Sequence, residues 1–128
     1  MLLVTRLIKA DAEAIETEAQ LAEDCIFLKE NGILEPVAFF EIMAQCLAAG
    51  SGIVHPAPWG YLAGIKKMRL FGQAKAGDVL LARVHPVTRL DRIVAVAGEV
   101  LLDGKKIAEG QLKIYIPNEK ETEEGVGL

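Results

Sequence analysis

The two residues with the clearest chemical potential in this 128-residue sequence are Glu41 and Gln45, which stand in an otherwise apolar stretch. A spacing of four residues places both side chains on one face of a helix. Because a lone buried carboxylate is costly, we expect Glu41 to be paired, hydrogen-bonded or protonated. A buried carboxylate suits general acid or base catalysis near neutral pH. The alternative is that both residues are satisfied polar groups at a subunit interface.

The other reactive side chains carry weaker signals. His55 and His85 each precede a proline, and we interpret both as surface or packing residues. Cys46 has no positive neighbour that would favour a thiolate, so we expect a small core residue. Neither Cys25 nor Cys46 has a metal-ligand neighbour at a useful spacing. We therefore predict no metal site and no disulfide, and free thiols favour the cytoplasm.

Basic residues cluster in the second half of a chain whose net charge is -4. The acidic balance argues against a nucleic-acid-binding protein. A basic patch in such a protein would steer an acidic partner, such as an acyl carrier protein, although a solvated strand face is the alternative. The strongest candidates for docking are Lys66, Lys67 and Arg69, followed by Arg83, Arg89 and Arg92.

The segment that carries Glu41 is predicted to be a helix from Val37 to Ala49. Glu35-Pro36 is a favourable helix start, and Gly50 and Gly52 are predicted to end it. A helix that is apolar on nearly every side belongs inside a protein, so a sheet must surround it. Alternating and β-branched segments predict strands over residues 2–9, 12–21, 61–71, 79–87, 92–102 and 107–116, the last two joined by a turn at Asp103-Gly104. The alanines and glutamates of residues 12–21 would also suit a helix, and their alternation favours the strand.

These elements predict one domain over residues 1–117, in which two strands, a buried helix and a four-stranded antiparallel meander follow one another. Residues 118–128 are acidic and predicted to form a flexible tail. An antiparallel sheet around one long helix is the α+β hotdog architecture. The longest apolar stretch, residues 37–52, is too short and too polar to span a membrane, and we identify no signal peptide.

The successive sequence blocks resemble those of the 3-hydroxyacyl-acyl-carrier-protein dehydratases, the FabA/FabZ-like hotdog proteins, over about residues 1–117. Five blocks occur in the expected order with the expected gaps, and this is fairly specific. The blocks are Leu2-Leu3-Val4-Thr5-Arg6-Leu7, Phe39-Phe40-Glu41-Ile42-Met43-Ala44-Gln45, Gly64-Ile65-Lys66-Lys67-Met68-Arg69-Leu70, Lys75-Ala76-Gly77-Asp78 and Asp103-Gly104-Lys105-Lys106-Ile107-Ala108-Glu109.

The resemblance implies removal of water from a 3-hydroxyacyl thioester, without a cofactor. The substrate would arrive on acyl carrier protein or coenzyme A, and Glu41 would be catalytic with Gln45 beside it. The resemblance also implies a homodimer or higher homo-oligomer, with an acyl tunnel along the helix. Phe27, Val37, Phe40, Met43 and Gly64 are the residues expected to contact the substrate.

The sequence departs from the family ahead of the helix. Phe27 stands where the family has its catalytic histidine, and Glu35-Pro36 replaces the family's Pro-Gly. Because proline has no N–H, the donor that would polarise the thioester oxygen is missing or moved to Val37. Two alternatives therefore stay open: a hotdog thioesterase in which Glu41 activates water, and a non-catalytic acyl-thioester-binding subunit of a heteromeric dehydratase.

Overall fold

The computed structural model describes residues 3–54 and 61–115, which form one sheet and one long helix. All six strands belong to a single antiparallel sheet in the order β1-β2-β4-β5-β6-β3. The elements in chain order are β1 (Arg6–Ala10), β2 (Ile15–Gln20), α1 (Val37–Val54), β3 (Tyr61–Leu70), β4 (Val79–Leu90), β5 (Ile93–Leu102) and β6 (Lys105–Tyr115).

The helix starts where the sequence predicts but continues past its predicted end, to Val54. Gly50 lies inside the helix, and a β-carbon there would collide with the side chain of Ile15 on β2. Gly50 therefore allows the helix to approach the sheet closely, and it does not end the helix. Among the described residues, no helix has the length and apolarity that crossing a bilayer requires.

The predicted meander is correct for β4, β5 and β6 but wrong for β3, which lies at the sheet edge beside β6. The connection after β3 explains the difference, because it carries the chain across to the other half of the sheet. Phe71 N donates to Ile107 O on β6, whereas Gly77 N donates to Leu21 O just after β2. These long-range bonds place β4 beside β2.

The hairpin between β4 and β5 also differs from its prediction. Its turn lies at Asp91-Arg92, with a φ of 55° at Asp91, and not over residues 88–91. Strand β4 continues through Pro86, which lies beyond Val84, the last residue of β4 that pairs with β2, and a register shift with β5 follows between Pro86 and Thr88. The predicted two-residue turn at Asp103-Gly104 is confirmed, with Leu102 paired to Lys105 and positive φ at both turn residues.

One face of α1 forms the core with the sheet. Phe39, Ile42, Met43 and Cys46 are buried on that face. Opposite Met43, Gly98 on β5 provides room, because a β-carbon there would lie 2.9 Å from the Met43 sulfur. The core is completed by buried strand residues, among them Leu80, Val84, Val100 and Leu112.

The predicted burial of the helix holds for one face of α1 in the described chain. Val37, Glu41 and Ala48 are exposed along the opposite stripe of α1, and Ala44 and Gln45 are half-buried. The sheet covers only one side of the helix. The stripe of Val37, Glu41, Ala44, Gln45 and Ala48, here called the open face of α1, is therefore available for contact with a ligand or another chain. His55 and the tail over residues 118–128 lie outside the described residues.

Candidate functional site

Glu41 and Gln45 are joined on the open face of α1, as their spacing predicts. Gln45 Nε2 donates to Glu41 Oε1 at 3.0 Å. The Gln45 Oε1 atom accepts two backbone N–H groups, from Leu3 at 2.6 Å and from Val4 at 3.0 Å. Because two donors occupy the oxygen side of the amide, its nitrogen must face Glu41. The segment before β1 thus fixes the orientation of the pair.

The local fold explains how the start of the chain reaches the helix. Leu3 and Val4 are buried, and Thr5 N donates to Glu18 O on β2. This pairing lays the segment against α1 one turn beyond Glu41. No pattern of residue types signals this contact, because the donors are backbone N–H groups that any residue other than proline carries.

Glu41 is exposed in the described chain, contrary to the expected burial. Its carboxylate keeps the bond to Gln45, but water reaches it because nothing in residues 3–54 and 61–115 covers the open face of α1. The desolvation that an acid or base at this position would need must therefore come from a ligand or another protein chain.

The start of α1 is held by residues from the irregular segment before it. Phe27 is half-buried against the core, and its carbonyl accepts the Glu35 N–H at 2.7 Å. Ala38 N donates to Glu35 O at 3.0 Å, and Phe39 N donates to Pro36 O at 3.2 Å. Val37 is 57% exposed. No hydrogen bond of its N–H is found within residues 3–54 and 61–115.

The other residues predicted to contact substrate do not all lie together. Phe40 is half-buried beside Glu41 on the helix, whereas Met43 is fully buried on the sheet side. Gly64 lies on β3, at the opposite sheet edge from β1 and the segment that binds Gln45. Within one chain, Phe40 and Val37 share the open side of the helix with Glu41, and Met43 and Gly64 do not.

The three cations predicted for carrier docking do lie together, on β3. Lys66, Lys67 and Arg69 are all exposed. Lys67 has a φ of 56° and occupies a bulge, where the register with β6 shifts between Lys66 and Arg69. The other predicted basic residues are separate from this cluster: Arg83 pairs with Glu16 at 3.4 Å, and Arg92 Nη1 donates to Tyr115 at 3.5 Å.

Cys46 is confirmed as a core residue. Its thiol lies 3.5 Å from Ile15 O and 3.7 Å from Ala82 O, and burial raises its pKa to about 11. A thiol in that state is a poor nucleophile. His85 is exposed on β4. In the part of the chain that the structure describes, no group of His, Cys, Asp and Glu side chains could hold a metal ion.

Comparison with known proteins gives one family and a set of structural neighbours. The model of a family described as ApeP-like, ApeP dehydratase, matches residues 1–124. No curated protein matches the sequence significantly. Among solved structures, the dehydratase heterocomplex ApeI:P from Xenorhabdus doucetiae is similar with a TM-score of 0.78 and 21% identity, over 99% of this chain and 90% of that one.

Two further neighbours carry different descriptions. Zebra fish thioesterase superfamily member 2 has a TM-score of 0.73 and 13% identity, over 87% of this chain and 80% of that one. The smu.793 protein of Streptococcus mutans, bound to acetyl CoA, has a TM-score of 0.72 and 14% identity, over 88% of both chains. At these identities the likeness is one of fold, and it confirms the predicted α+β hotdog architecture.

Proposed function

The chain belongs to the ApeP-like family, described as ApeP dehydratase, and from that membership we propose that it acts on 3-hydroxyacyl thioesters as a dehydratase-type hotdog protein. The observation that carries the proposal is the Glu41–Gln45 pair, held in one orientation by the backbone of Leu3 and Val4. The family that matches is ApeP-like, so the narrower FabA/FabZ resemblance stays a hypothesis.

Dehydration needs two proton transfers. One group removes the proton beside the thioester carbonyl, and another gives a proton to the departing hydroxyl, so that water leaves and a carbon–carbon double bond forms. Glu41 is suited to one of these transfers because its position is fixed by Gln45. The N–H of Val37, an exposed residue at the helix start, is suited to polarising the thioester oxygen.

In a mechanism that uses one chain, the group that would carry out the second proton transfer is not identified. Phe27 stands where the resembling dehydratases have a histidine, and Glu41 is exposed on the open face of α1. We therefore propose that the chain works with a second hotdog subunit that covers this face and supplies the missing group. A neighbour described as a dehydratase heterocomplex supports this arrangement.

A thioesterase is the second candidate. In that reaction Glu41 would activate a water molecule that attacks the thioester carbon, and no histidine is needed before the helix. The exposure of Glu41 to water favours this chemistry, and a neighbour described as a thioesterase superfamily member has the same fold. For either reaction we propose a carrier that is acyl carrier protein or coenzyme A, and a cytoplasmic location in keeping with the free thiols of Cys25 and Cys46.

One assay separates these candidates. The purified chain is given 3-hydroxyacyl-CoA and saturated acyl-CoA, and enoyl product and free thiol are followed together. Glu41→Gln is the test variant, and Glu13→Gln, which changes an exposed glutamate on the β1–β2 connection, is the matched control.

Enoyl product that is lost only in Glu41→Gln supports the dehydratase. Free thiol that is lost only in Glu41→Gln replaces the dehydratase with the thioesterase. If the chain binds the thioesters but forms neither product, it is a binding subunit that requires a partner. Equal activity in both variants and the wild type would exclude Glu41 from the chemistry.

A further inference from the structure

The corner of the sheet where β4 turns into β5 exposes a cluster of apolar side chains. Leu90 is 81% exposed, and Val87 and Ile93 are 49% and 46% exposed. Leu90 lies directly opposite Ile93, and directly paired residues share a face, so these two side chains are neighbours. Clustered exposed apolar residues mark surfaces that contact a protein or a membrane. Together with Arg89 and Arg92, these three residues form the β4–β5 corner.

The strand pairing shows that the core ends before this corner. Strand β2 pairs with β4 only from Val79 to Val84. Beyond Val84, no described strand pairs with β4 on that side, and the side chains from His85 to Leu90 are all exposed. The apolar residues of the corner are therefore not explained by packing within the described chain.

The charged groups of the corner are mainly cationic. Arg89 and Arg92 flank the exposed leucine along the chain, and Asp91 is the only acidic residue between positions 79 and 98. Arg89 Nε donates to the backbone carbonyl of Asp91 at 3.5 Å. No ion pair of Arg89 with a carboxylate is found in the part of the chain that the structure describes. The corner thus places an uncompensated positive charge beside exposed apolar side chains.

We propose that the β4–β5 corner binds the surface of an anionic lipid bilayer, with the Leu90 side chain inserted below the headgroups. The inference goes beyond the proposed function and does not depend on it. Insertion of Leu90 removes its apolar surface from water, which is favourable. Anionic headgroups attract Arg89 and Arg92, and the long arginine stems let the guanidinium groups stay at the level of the headgroups.

A second protein chain is the competing occupant of the corner. Such a partner would have to offer a negative surface and an apolar pocket at the same place. An anionic bilayer has a negative surface directly above an apolar layer. The order of residue types at the corner fits these two layers, because apolar and cationic side chains occur in turn: Val87, Arg89, Leu90, Arg92 and Ile93.

The net charge of the whole chain does not prevent this binding. At -4 it would repel an anionic surface if all charges acted equally. Charges separated by more than about 8 Å in water are largely screened at physiological ionic strength. The residues nearest the bilayer therefore determine the electrostatic interaction, and at the corner two arginines outnumber Asp91.

Vesicle flotation measures the binding. The full chain is mixed with vesicles of phosphatidylcholine alone, or of equal parts phosphatidylcholine and phosphatidylglycerol. Leu90→Ser removes the apolar contact, and Arg89→Gln removes one cation. Ile26→Ser is the matched control for the first variant, because Ile26 is 73% exposed in the segment before α1. Lys105→Gln is the control for the second, because Lys105 is exposed at the opposite end of β5.

We expect the wild type at low ionic strength to bind the anionic vesicles at least about tenfold more tightly than the neutral ones. Leu90→Ser should weaken this binding about tenfold, and Arg89→Gln should weaken it about fivefold. Both controls should bind like the wild type. Absence of binding, equal binding to the two kinds of vesicle, or an equal loss in a control would overturn the proposal.

Insertion is measured separately from attraction by charge. Leu90→Trp places a fluorophore at the corner, Ile26→Trp is its control, and Trp59 is common to both variants. In anionic vesicles whose phosphatidylcholine has brominated acyl chains, we expect stronger quenching of Leu90→Trp than of Ile26→Trp. Equal quenching would overturn insertion and leave adsorption by charge alone.

The same variants test the competing occupant. If Leu90→Ser changed the oligomeric mass in native mass spectrometry but left vesicle binding unaltered, the corner would be a contact between protein chains, and the lipid proposal would be wrong. An unaltered mass with the expected loss of vesicle binding supports the lipid surface. Because none of these measurements involves turnover, failure of the proposed reaction would not affect the result.

Discussion

Gln45 donates a 3.0 Å hydrogen bond from Nε2 to Glu41 Oε1, while the Oε1 atom of the same amide accepts the backbone N–H groups of Leu3 and Val4. The amide thus connects the start of the chain to the helix turn that carries Glu41. Its two ends have different functions, because the oxygen secures the N-terminal segment and the nitrogen orients the carboxylate. Substitutions that change one end at a time can separate these functions.

Replacing Gln45 tests the anchoring of the N-terminal segment. Gln45→Met removes the acceptor of two N–H groups, and we expect the free energy of unfolding to fall by about 1–3 kcal/mol. Gln45→Glu retains an oxygen for Leu3 and Val4, so its loss is expected to be smaller, although it places a carboxylate beside Glu41. Denaturant unfolding measures both variants. Gln73→Met, at an exposed glutamine, is the control, and a loss as large as that of Gln45→Met would contradict the anchoring role.

The packing of Met43 on the sheet predicts a second effect. A β-carbon at Gly98 would lie 2.9 Å from Met43 Sδ and 3.1 Å from Met43 Cγ. Gly98→Ala is therefore expected to destabilise the fold by about 1–3 kcal/mol through overpacking. Gly64→Ala is the matched control, because a β-carbon there has no atom within 4 Å. Thermal unfolding that gave equal melting temperatures for both variants would show that Met43 repacks freely.

The sequence predicted the features that depend on local geometry. The start of α1 follows from Glu35-Pro36, and the hairpin at Asp103-Gly104 follows from residues that tolerate positive φ. The shared face of Glu41 and Gln45 follows from a spacing of four residues. In each case the determining interactions lie within a few residues of chain.

Features that depend on distant contacts were predicted incorrectly or not at all. The edge position of β3 is set by bonds such as Gly77 N to Leu21 O, which no periodicity encodes. The exposure of Glu41 is not predictable from its neighbours, because small apolar residues such as Ala44 and Ala48 occur both against a sheet and at the surface. The hydrogen bonds from Leu3 and Val4 to Gln45 cannot be predicted from residue types, because every residue except proline carries a backbone N–H donor.

Burial of Cys46 predicts a pH dependence of stability. The pKa of the thiol rises from 9.0 to about 11 because burial disfavours the thiolate. Between these values the unfolded chain has lost the proton that the folded chain retains, so stability falls as pH rises from 9 toward 11. The full effect is about 2–3 kcal/mol.

The Cys46 contribution can be isolated by comparing wild type with Cys46→Ala. We expect the variant to be less stable at pH 8 but to lose less stability than wild type over the alkaline range, as measured by denaturant unfolding at each pH. Cys25→Ala is the control, since it removes the other buried cysteine. Parallel pH curves for wild type and Cys46→Ala would show that the buried thiol does not contribute.

The last prediction concerns Lys106, which lies between two carboxylates on the outer face of the sheet. Its Nζ is 3.2 Å from Glu99 Oε2 and 3.1 Å from Glu109 Oε2. Glu99 and Glu109 are paired directly across β5 and β6, so they would repel each other without the cation. The hydrogen bond to Glu109 keeps the pKa of Lys106 above its ordinary value, and the bridge is therefore complete at neutral pH and is lost as pH rises through that pKa.

Lys106→Met is accordingly expected to lower the melting temperature at neutral pH and low ionic strength. The deficit should shrink as salt is added, because the repulsion between two exposed carboxylates is screened over about 3 Å at 1 M salt. Lys105→Met, one position earlier on β6 and exposed, controls for the loss of a surface charge. If the deficit of Lys106→Met persisted unchanged at high salt, the stabilisation would come from packing of the lysine stem, since only the electrostatic part responds to ionic strength.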